Sequence, residues 1–347
     1  MRIPWEERSG ILAGGNWIVD KVKIVDRYPE RERLADVSSE SVHLGGSPCN
    51  LLTDLARLGA PFPLAGVGLV GADADGERIL AHCRASGIDA TGILSLTGAA
   101  TSTTDVMSEE GTGKRTFFHH RGANARLKSH HFDLERSPAR IFHLGYLMLL
   151  DGLEALRKDG RTGAYGVLEQ ARSCGLKTSI DVVSSEAGDF TAVLAGTLPA
   201  VDILFLNEYE AEKTTGVPLQ NAGPDSPAMR SALSGLLRMG VREWAVIHSP
   251  QGACALGADG SFHCQGSVCL PPPRIAGTVG AGDAFAAGVL YGIHEERGME
   301  ECLAYGACAA AACLTAPGSS EGILPLRQCL ELGEGYGFRG ETVGRKT

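Results

Sequence analysis

An acidic residue placed directly after a glycine-rich turn is the feature of this sequence best suited to chemistry. Residues 277–283 have the order Gly-Thr-Val-Gly-Ala-Gly-Asp and precede an apolar, small-residue stretch, 284–290. The stretch predicts a buried helix, so the glycines predict the turn from which that helix starts. A helix start presents free backbone N–H groups and the positive end of the helix dipole, which suits it to bind phosphate.

Asp283 would lie in the first turn of that helix. One interpretation is that its carboxylate only stabilises the helix start. The other is that it takes a proton from a substrate hydroxyl as a phosphoryl group arrives. The glycine spacing is neither that of a dinucleotide fingerprint nor that of a P-loop. No dinucleotide fingerprint follows the first predicted strand, which argues against a nicotinamide-dependent enzyme.

Asn16 and Asp20 follow the first predicted strand, residues 10–14. Open α/β sheets bind their ligands beyond the carboxyl ends of strands, so an amide and a carboxylate here could grip vicinal hydroxyls of a sugar. A surface turn would explain the same residues. Trp17, which lies between them, could stack on a sugar face or a base, or it could pack in the core.

Gly45, Gly46 and Asn50 precede an amphipathic helix predicted over residues 51–58. The two glycines would allow a ligand to approach the backbone closely, and Asn50 offers both donors and an acceptor. The alternative is an ordinary glycine turn in which Asn50 caps the helix.

Asn207 and Glu210 follow the apolar strand predicted over residues 203–206. Asn207 could cap the next helix, and Glu210 three residues later would complete a capping box. The functional alternative places both side chains near nucleotide phosphates and Mg²⁺, with the contact to the ion made through water.

Composition excludes several classes of protein. The chain has 347 residues, 44% hydrophobic and 21% charged, with a formal net charge of -9 and no basic stripe, which argues against a nucleic-acid binder. No secretory signal or membrane-spanning stretch is found, and the ten cysteines lack zinc-site spacing. We therefore expect a soluble cytoplasmic protein with buried, reduced thiols.

Predicted strands and helices alternate along most of the chain, which indicates a mainly parallel sheet covered on both faces. We expect a large α/β domain formed by residues 10–20, 43–100 and 122–330. Two polar, β-like insertions, 21–42 and 101–121, predict a small sheet outside it. The tail, residues 331–347, is rich in glycine and charge, and we expect it to be loosely held.

The order of these motifs resembles the ribokinase-like (PfkB) carbohydrate kinases over about residues 11–325. The matching segments are Gly-Asn-x-x-x-Asp at 15–20, Gly-Gly-x-x-x-Asn at 45–50, 67–76, 115–117, 122–125, Asn-x-x-Glu at 207–210 and Thr-x-Gly-Ala-Gly-Asp at 278–283. Each is a modest signal alone, but together and in register they are specific. The resemblance implies a three-layer α/β/α sandwich with a small β-sheet lid, and ATP-dependent phosphorylation of a hydroxyl on a small sugar.

The resemblance also implies roles for individual residues. Asp283 falls on the family's catalytic base, and the amides of 280–282 fall on its anion hole. By the same resemblance, the residues expected to bind the nucleotide phosphates and Mg²⁺ are Asn207, Glu210, Gly252 and Thr278, with Glu210 contacting the metal through water. The residues expected to line the sugar site are Asn16, Asp20, Gly45, Gly46 and Asn50. A homodimer through the lid is a further implication.

Three departures from the family pattern leave alternatives open. Gly277 stands where the family usually has an Asp that helps to hold a monovalent cation, so we expect weak dependence on K⁺. Residues 248–252, His-Ser-Pro-Gln-Gly, keep only Gly252 of the usual turn, and residues 181–184 lack the ribokinase pattern. The alternatives are a nucleoside kinase of the same family and a catalytically idle relative that only binds a ligand.

Overall fold

The computed structural model describes residues 3–340 except 113, 186, 187 and 221. Its strands are β1 (Ile11–Gly15), β2 (Ile18–Val25), β3 (Val37–Gly45), β4 (Leu64–Gly71), β5 (Asp89–Leu96), β6 (Ser102–Glu109), β7 (Arg115–His120), β8 (Ile141–Leu147), β9 (Lys177–Val182), β10 (Ile203–Asn207), β11 (Trp244–Ser249), β12 (Gly252–Gly257) and β13 (Phe262–Gly266). Its α-helices are α1 (Ser47–Leu58), α2 (Ala74–Ala85), α3 (Asp151–Glu154), α4 (Gly163–Ser173), α5 (Phe190–Ala195), α6 (Glu208–Thr215), α7 (Pro227–Arg238), α8 (Ala281–His294), α9 (Met299–Cys313) and α10 (Leu326–Tyr336).

The strands of the described residues form two sheets, as predicted. The large sheet has the order β13-β12-β11-β10-β9-β8-β1-β4-β5 and is parallel from β11 to β5, with β12 and β13 added antiparallel at one edge. The small sheet, which we call the lid, has the order β3-β2-β6-β7. Residues Ile203–Leu206 of the central strand β10 are apolar and buried at every position, as a strand covered on both faces requires.

Two hydrophobic cores lie on opposite faces of the large sheet. One contains buried side chains of α1, α2, α8, α9 and α10. The other contains those of α4, α5, α6 and α7. This division confirms the predicted three-layer α/β/α arrangement. Among the described residues, none of the helices is long and apolar enough to span a membrane.

Sequence analysis did not predict two of the strands, β5 and β13. The edge strand β5 alternates poorly, with exposed or half-buried residues at all positions except Ile93, and β13 at the opposite edge contains no fully buried residue. Both take their strand conformation from pairing with a neighbour, β4 and β12 respectively. Hydrophobic periodicity cannot reveal a strand that buries so few side chains.

The expectation of a loosely held tail is wrong for residues 331–340. Residues 331–336 complete helix α10, in which Cys329 and Gly333 are buried. Phe338 then forms a β-bridge with Val268, and the amide of Arg339 donates to the carbonyl of Ser267 at 2.9 Å. The remaining residues of the predicted tail, 341–347, lie outside the described residues.

The expectation of buried, reduced thiols is wrong for two of the cysteines and incomplete for others. Cys254 and Cys264 occupy paired positions on β12 and β13 and form a disulfide with an S–S distance of 2.12 Å. Cys269 is a free, exposed thiol, and Cys174 is half-buried. The pairing was invisible in the sequence because it depends on β13, an edge strand that the hydrophobic pattern does not predict.

Candidate active site

Two cavities of similar size meet at the carboxyl edge of the large sheet. The first, of about 560 Å³, lies between the ends of β10 and β11 and the helices α8 and α9; we call it the apolar cavity. The second, of about 550 Å³, lies between the ends of β9 and β10, the start of α8 and the lid; we call it the acidic cavity. Both are lined by Asn207, His248 and Gly282, so these residues mark the passage between them.

The start of helix α8 forms the wall at this passage, as the glycine-rich motif predicted. Gly280 is the N-cap and has a φ of 78°, in the left-handed region that favours glycine. A side chain there would place its Cβ 2.3 Å from the carbonyl oxygen of Ser319. The first-turn amides, which include those of Ala281 and Gly282, have no partner within the helix and are available to an anion.

Asp283 is brought into the acidic cavity and is 5% exposed. Its Oδ2 accepts hydrogen bonds from Asn50 Nδ2 and from the Tyr146 hydroxyl, each at 2.8 Å. Burial, and after it the charge of Asp181, raises the pKa of Asp283 from 3.8 to about 7. A carboxylate with a pKa near neutrality is well matched to act as a general base.

Asn50 lies inside helix α1 rather than at its start, so the helix-cap interpretation is wrong. The N-cap is Gly46, whose carbonyl accepts the Asn50 N–H. The Asn50 side chain bonds to Asp283 through Nδ2 and accepts from the Ser319 hydroxyl through Oδ1 at 2.9 Å. Because both ends of the amide are engaged, Asn50 fixes the position of the Asp283 carboxylate.

Tyr146 is a site residue that sequence analysis missed. It has a φ of 55°, and Met148 has a φ of 79°, where β8 departs from regular pairing with β9. Non-glycine residues in this region cost about 1–3 kcal/mol each and cluster at functional sites. The unusual backbone directs the Tyr146 hydroxyl to Asp283. No motif in the sequence signals it.

Asp181 is held by a buried polar network. Its Oδ2 accepts from the Ser47 hydroxyl at 2.6 Å, and its Oδ1 accepts from the Tyr146 N–H at 2.7 Å. His143 lies 3.1 Å from Ser47 Oγ and 3.0 Å from Ser179 Oγ. A serine, a histidine and an aspartate in contact resemble a hydrolase triad, but Ser47 and His143 are completely buried. The network therefore positions Asp181 and does not present a nucleophile.

Asn207 and Glu210 form the capping box that the sequence predicted. Asn207 Oδ1 accepts from the Glu210 N–H, and Glu210 Oε2 accepts from the Asn207 N–H, each at 2.9 Å. Glu210 Oε1 also accepts from Ser184 Oγ and Asn207 Nδ2, each at 2.8 Å. Burial raises the pKa of Glu210 from 4.5 to about 7. Both side chains also line the acidic cavity, so the capping and functional interpretations are compatible.

The donor set fits a hydrated Mg²⁺ better than a directly bound ion. Both oxygens of Glu210 already accept hydrogen bonds from the protein. Among the described residues there is no cluster of three or more His, Cys, Asp or Glu side chains arranged to hold a metal. Mg²⁺ retains several of its waters in most protein sites, and the free carboxylate edges and amides here are suited to bind such waters.

Asp20 lines the acidic cavity from strand β2. Burial raises its pKa from 3.8 to about 6, although a hydrogen bond from Thr104 opposes the shift. Gly45 does not line the cavity, but a Cβ there would lie 2.2 Å from Asp20 Oδ2. Gly46 does line it, and its Cβ would lie 1.9 Å from the Asn16 carbonyl. The two glycines thus make room for Asp20 and for the adjoining backbone.

The structure does not bring Asn16 to the cavity. Its side chain is completely buried, and Nδ2 donates to the Tyr146 carbonyl at 3.0 Å, so it supports the Tyr146 backbone. Trp17 is also completely buried and donates its indole N–H to the Val67 carbonyl at 3.0 Å. Of the two interpretations of Trp17, packing in the core is the correct one.

The lid contributes residues that sequence analysis did not assign. Thr104, Phe117 and His119 line the acidic cavity. Thr104 Oγ1 and His119 Nδ1 are 3.1 Å apart, while His119 Nε2 is buried and has no hydrogen-bond partner among the described residues. Burial lowers the pKa of His119 to about 4. Its neutral ring can exchange a hydrogen bond with a ligand held under the lid.

The apolar cavity has a wall of apolar side chains from the start of α8, the C-terminal half of α9 and the segments next to these helices. These are Val268, Leu270, Ile275, Phe285, Ala307, Ala310, Ala311 and Leu314. Gly252 and Thr278 line it as predicted. A Cβ at Gly252 would lie 2.3 Å from the Gln265 carbonyl. Arg339, from the segment expected to be loose, is the cation that lines it.

Comparison with known proteins identifies relatives over most of the chain. The sequence profile described as "pfkB family carbohydrate kinase" matches residues 15–326. Ketohexokinase of Mus musculus is 24% identical over 303 residues, covering 86% of this chain and 94% of that protein. Ribokinase of Arabidopsis thaliana is 25% identical over 318 residues, covering 89% and 76% respectively.

The fold is shared with solved structures. The structure of Arabidopsis thaliana ribokinase complexed with ribose and ATP aligns with a TM-score of 0.77 at 20% identity, covering 94% of this chain and 98% of that one. The ribokinase-like fold expected from the motif order is therefore confirmed.

Proposed function

Because the chain belongs to the pfkB family of carbohydrate kinases, we propose that it transfers the terminal phosphoryl group of ATP to a hydroxyl of a small, uncharged sugar. One observation carries the proposal. Asp283, a buried carboxyl with a pKa raised to about 7, lies beside the passage between a cavity suited to a nucleotide and a cavity suited to a sugar.

Asp283 acts as the general base. Its carboxylate takes the proton of the sugar hydroxyl as that oxygen forms a bond to the terminal phosphorus, and the bond from phosphorus to the bridging oxygen of ADP breaks. Asn50 and Tyr146 hold Oδ2 in place. The amides of Gly280, Ala281 and Gly282 donate to the oxygens of the group in transfer, as a preformed anion hole.

The nucleotide binds with its base in the apolar cavity and its phosphates toward the passage. Apolar walls with a few polar groups are typical of nucleotide and cofactor pockets. Thr278, Gly252 and Asn207 line the phosphate side, and Arg339 offers a positive charge to the nucleotide. Asn207 and Glu210 would hold Mg²⁺ through water, and the bound ion would neutralise charge on the phosphates.

The acidic cavity selects against anionic substrates. It is lined by Asp20, Asp181, Glu210 and Asp283, and none of the described residues lining it is Lys or Arg. A carboxylate or phosphate on the substrate would face several like charges in a partly buried site, which disfavours binding. Asp20, Thr104 and His119 offer hydrogen bonds to sugar hydroxyls.

A substrate panel coupled to ADP release tests the proposal. Matched pairs isolate charge: fructose against fructose 6-phosphate, and glucose against gluconate; ribose and adenosine extend the panel to pentoses and nucleosides. We expect turnover with at least one neutral sugar and at least about tenfold lower kcat/KM for the charged member of each pair. Turnover with adenosine alone would favour the nucleoside kinase. Nucleotide binding without turnover on any member would favour the idle relative.

The lid also carries a proposed homodimer interface. Val37, Val42 and Phe118 expose apolar surface on it, and Phe117 is 60% exposed although it also reaches the acidic cavity. A partner covering this face would therefore influence the sugar site. Light scattering at the concentrations used for assay tests the dimer. A cytoplasmic location, where ATP is abundant, is part of the same proposal.

A further inference from the structure

His248 lies at the passage between the two cavities, where the proposed phosphoryl transfer would take place. It lies near the end of β11, in register with Asn207 of β10, and lines both cavities. The ring faces the start of α8: a Cβ at Gly282 would lie 3.3 Å from its Cε1 and 3.6 Å from its Nε2. Its ring centroid is 5.4 Å from that of Phe285, which limits its rotation.

Hydrogen bonding to the described residues does not account for the position of the imidazole. Among the described residues, no hydrogen-bond partner is found for either ring nitrogen of His248, whereas His119 and His143 are bonded to neighbouring hydroxyls. Burial lowers the pKa of His248 to about 4, against a weaker opposing effect of Asp181. The neutral ring therefore presents one N–H donor and one acceptor to the passage.

The charges around the passage show what such a donor is needed for. The carboxylates that line the two cavities are Asp20, Asp181, Glu208, Glu210 and Asp283. The described cationic side chain that lines either cavity is Arg339, on the nucleotide side. A phosphoryl group crossing toward the sugar moves into this negative field. Donors fixed at the crossing point stabilise it there.

We propose that His248 is a phosphate-binding residue that donates an imidazole N–H to the terminal phosphoryl group of the nucleotide, opposite the amides of α8. The inference rests on the proposed function, which supplies the nucleotide. It assigns a role to a position at which the sequence departs from the family pattern. The donor would hold the terminal phosphate between Gly282 and the ring and would not contact the base.

Nucleotide binding in the absence of sugar tests this role without relying on turnover. Calorimetry with adenosine, AMP, ADP and a non-hydrolysable ATP analogue is run on the unsubstituted protein, His248→Ala and His248→Gln. We expect His248→Ala to weaken the triphosphate analogue about tenfold and to leave adenosine and AMP unchanged. His248→Gln, which keeps an N–H donor, should recover part of the loss. His263→Ala, on β13 and outside both cavities, is the matched control.

The outcomes separate this inference from the function on which it rests. Equal weakening of all four ligands, or no weakening of the triphosphate, would overturn the role of His248 while sugar phosphorylation by the unsubstituted protein still stood. Failure of the unsubstituted protein both to bind any adenine nucleotide and to phosphorylate any sugar would overturn both. If His248→Ala fails to fold, as judged by circular dichroism, His248→Leu, which also lacks a donor, takes its place beside the Gln variant.

Discussion

The two cavities have nearly the same volume but opposite chemistry. The apolar cavity is walled mainly by aliphatic side chains and Phe285, and the groups it offers to a nucleotide are backbone amides, a neutral imidazole and the guanidinium of Arg339. The acidic cavity is lined by four carboxyls, three of which have pKa values raised by burial. One cavity offers fixed donors whose charge does not change, and the other offers groups that can exchange a proton near neutral pH.

In the proposed reaction, this difference assigns the two halves of the chemistry to different parts of the molecule. Binding of the phosphates would fall on the glycine turn at the start of α8, whose geometry is set by steric constraint at Gly280. Proton transfer would fall on Asp283, whose pKa is raised by burial and by the charge of Asp181. A substitution in one cavity should therefore leave the other half of the reaction largely intact.

The strongest test of the division removes the base and keeps the shape. We expect Asp283→Asn to lower kcat by about 10²–10⁴-fold, because an amide cannot accept the hydroxyl proton. The affinity for ATP, measured by calorimetry, should change little. Asp133→Asn, an exposed aspartate outside both cavities, serves as the control. Near-normal turnover of Asp283→Asn would exclude this residue as the base.

The complementary test fills the apolar cavity and should affect nucleotide binding alone. Ala310 lies on α9, half-buried, in the wall of that cavity. Ala310→Phe should raise KM for ATP by about 10- to 100-fold because the ring occupies space needed by the base of the nucleotide. The affinity for the sugar, measured without nucleotide, should stay the same. Equal loss of sugar affinity would show that the cavities are not independent.

The two cavities also differ in how well the sequence predicted them. The phosphate-binding end of the apolar cavity comes from one continuous glycine-rich segment, whose residue types alone imply a helix start. Asn207 and Glu210 were predicted in the same way, from the short motif Asn-x-x-Glu, whereas Gly252 and Thr278 were expected there from the family resemblance. Local spacing is enough to predict a site when its residues are close together in the sequence.

The acidic cavity depends on contacts between distant segments, and there the prediction was incomplete. Tyr146 reaches Asp283 because of two left-handed residues that no composition rule anticipates. Asn16 is completely buried, does not line the cavity and bonds to the Tyr146 carbonyl, which the Gly-Asn-x-x-x-Asp spacing does not reveal. His119 was missed because its partner hydroxyl, on Thr104, lies across a strand pair of the lid.

The pH dependence of turnover should follow the acidic cavity. The pKa values of Asp283 and Glu210 are both raised to about 7. The base acts only when deprotonated, so kcat/KM should fall by about tenfold per pH unit below pH 7. A profile recorded from pH 5 to 9 with a neutral sugar tests this. A profile flat down to pH 5 would mean that the base titrates near its ordinary pKa.

Stability should change with pH in the opposite sense. A raised pKa means that the folded protein holds these protons more tightly than the unfolded chain does. The stabilisation is fully present below about pH 4 and is lost as the pH rises through about 7. The free energy of unfolding, measured with urea, should therefore decrease less between pH 5 and pH 8 for Asp283→Asn than for the unsubstituted protein. An equal loss in both would place the responsible group elsewhere.

A smaller effect is expected from the residue that sequence analysis missed. Tyr146→Phe removes one of the two hydrogen bonds to Asp283 Oδ2. Because that bond lowers the pKa of Asp283, its loss should move the acid limb of the pH profile to higher pH. We also expect about a three- to tenfold decrease in kcat, in line with one bond to a charged group. Tyr165→Phe, on α4 and outside both cavities, is the control; an unmoved acid limb would contradict the role of Tyr146.

The smallest effect expected is that of the monovalent cation, and it probes whether the phosphate side needs a bound cation in addition to Arg339. Gly277 supplies no carboxylate, and a Cβ there would lie 2.9 Å from the Pro317 carbonyl and 3.0 Å from the Ala316 carbonyl. Replacing K⁺ by tetramethylammonium at constant ionic strength should therefore change turnover by about twofold or less. A large, saturable stimulation by K⁺ would mean that the phosphate side recruits an ion of its own. The contrast between fixed protein donors on one side and titratable carboxyls on the other would then fail.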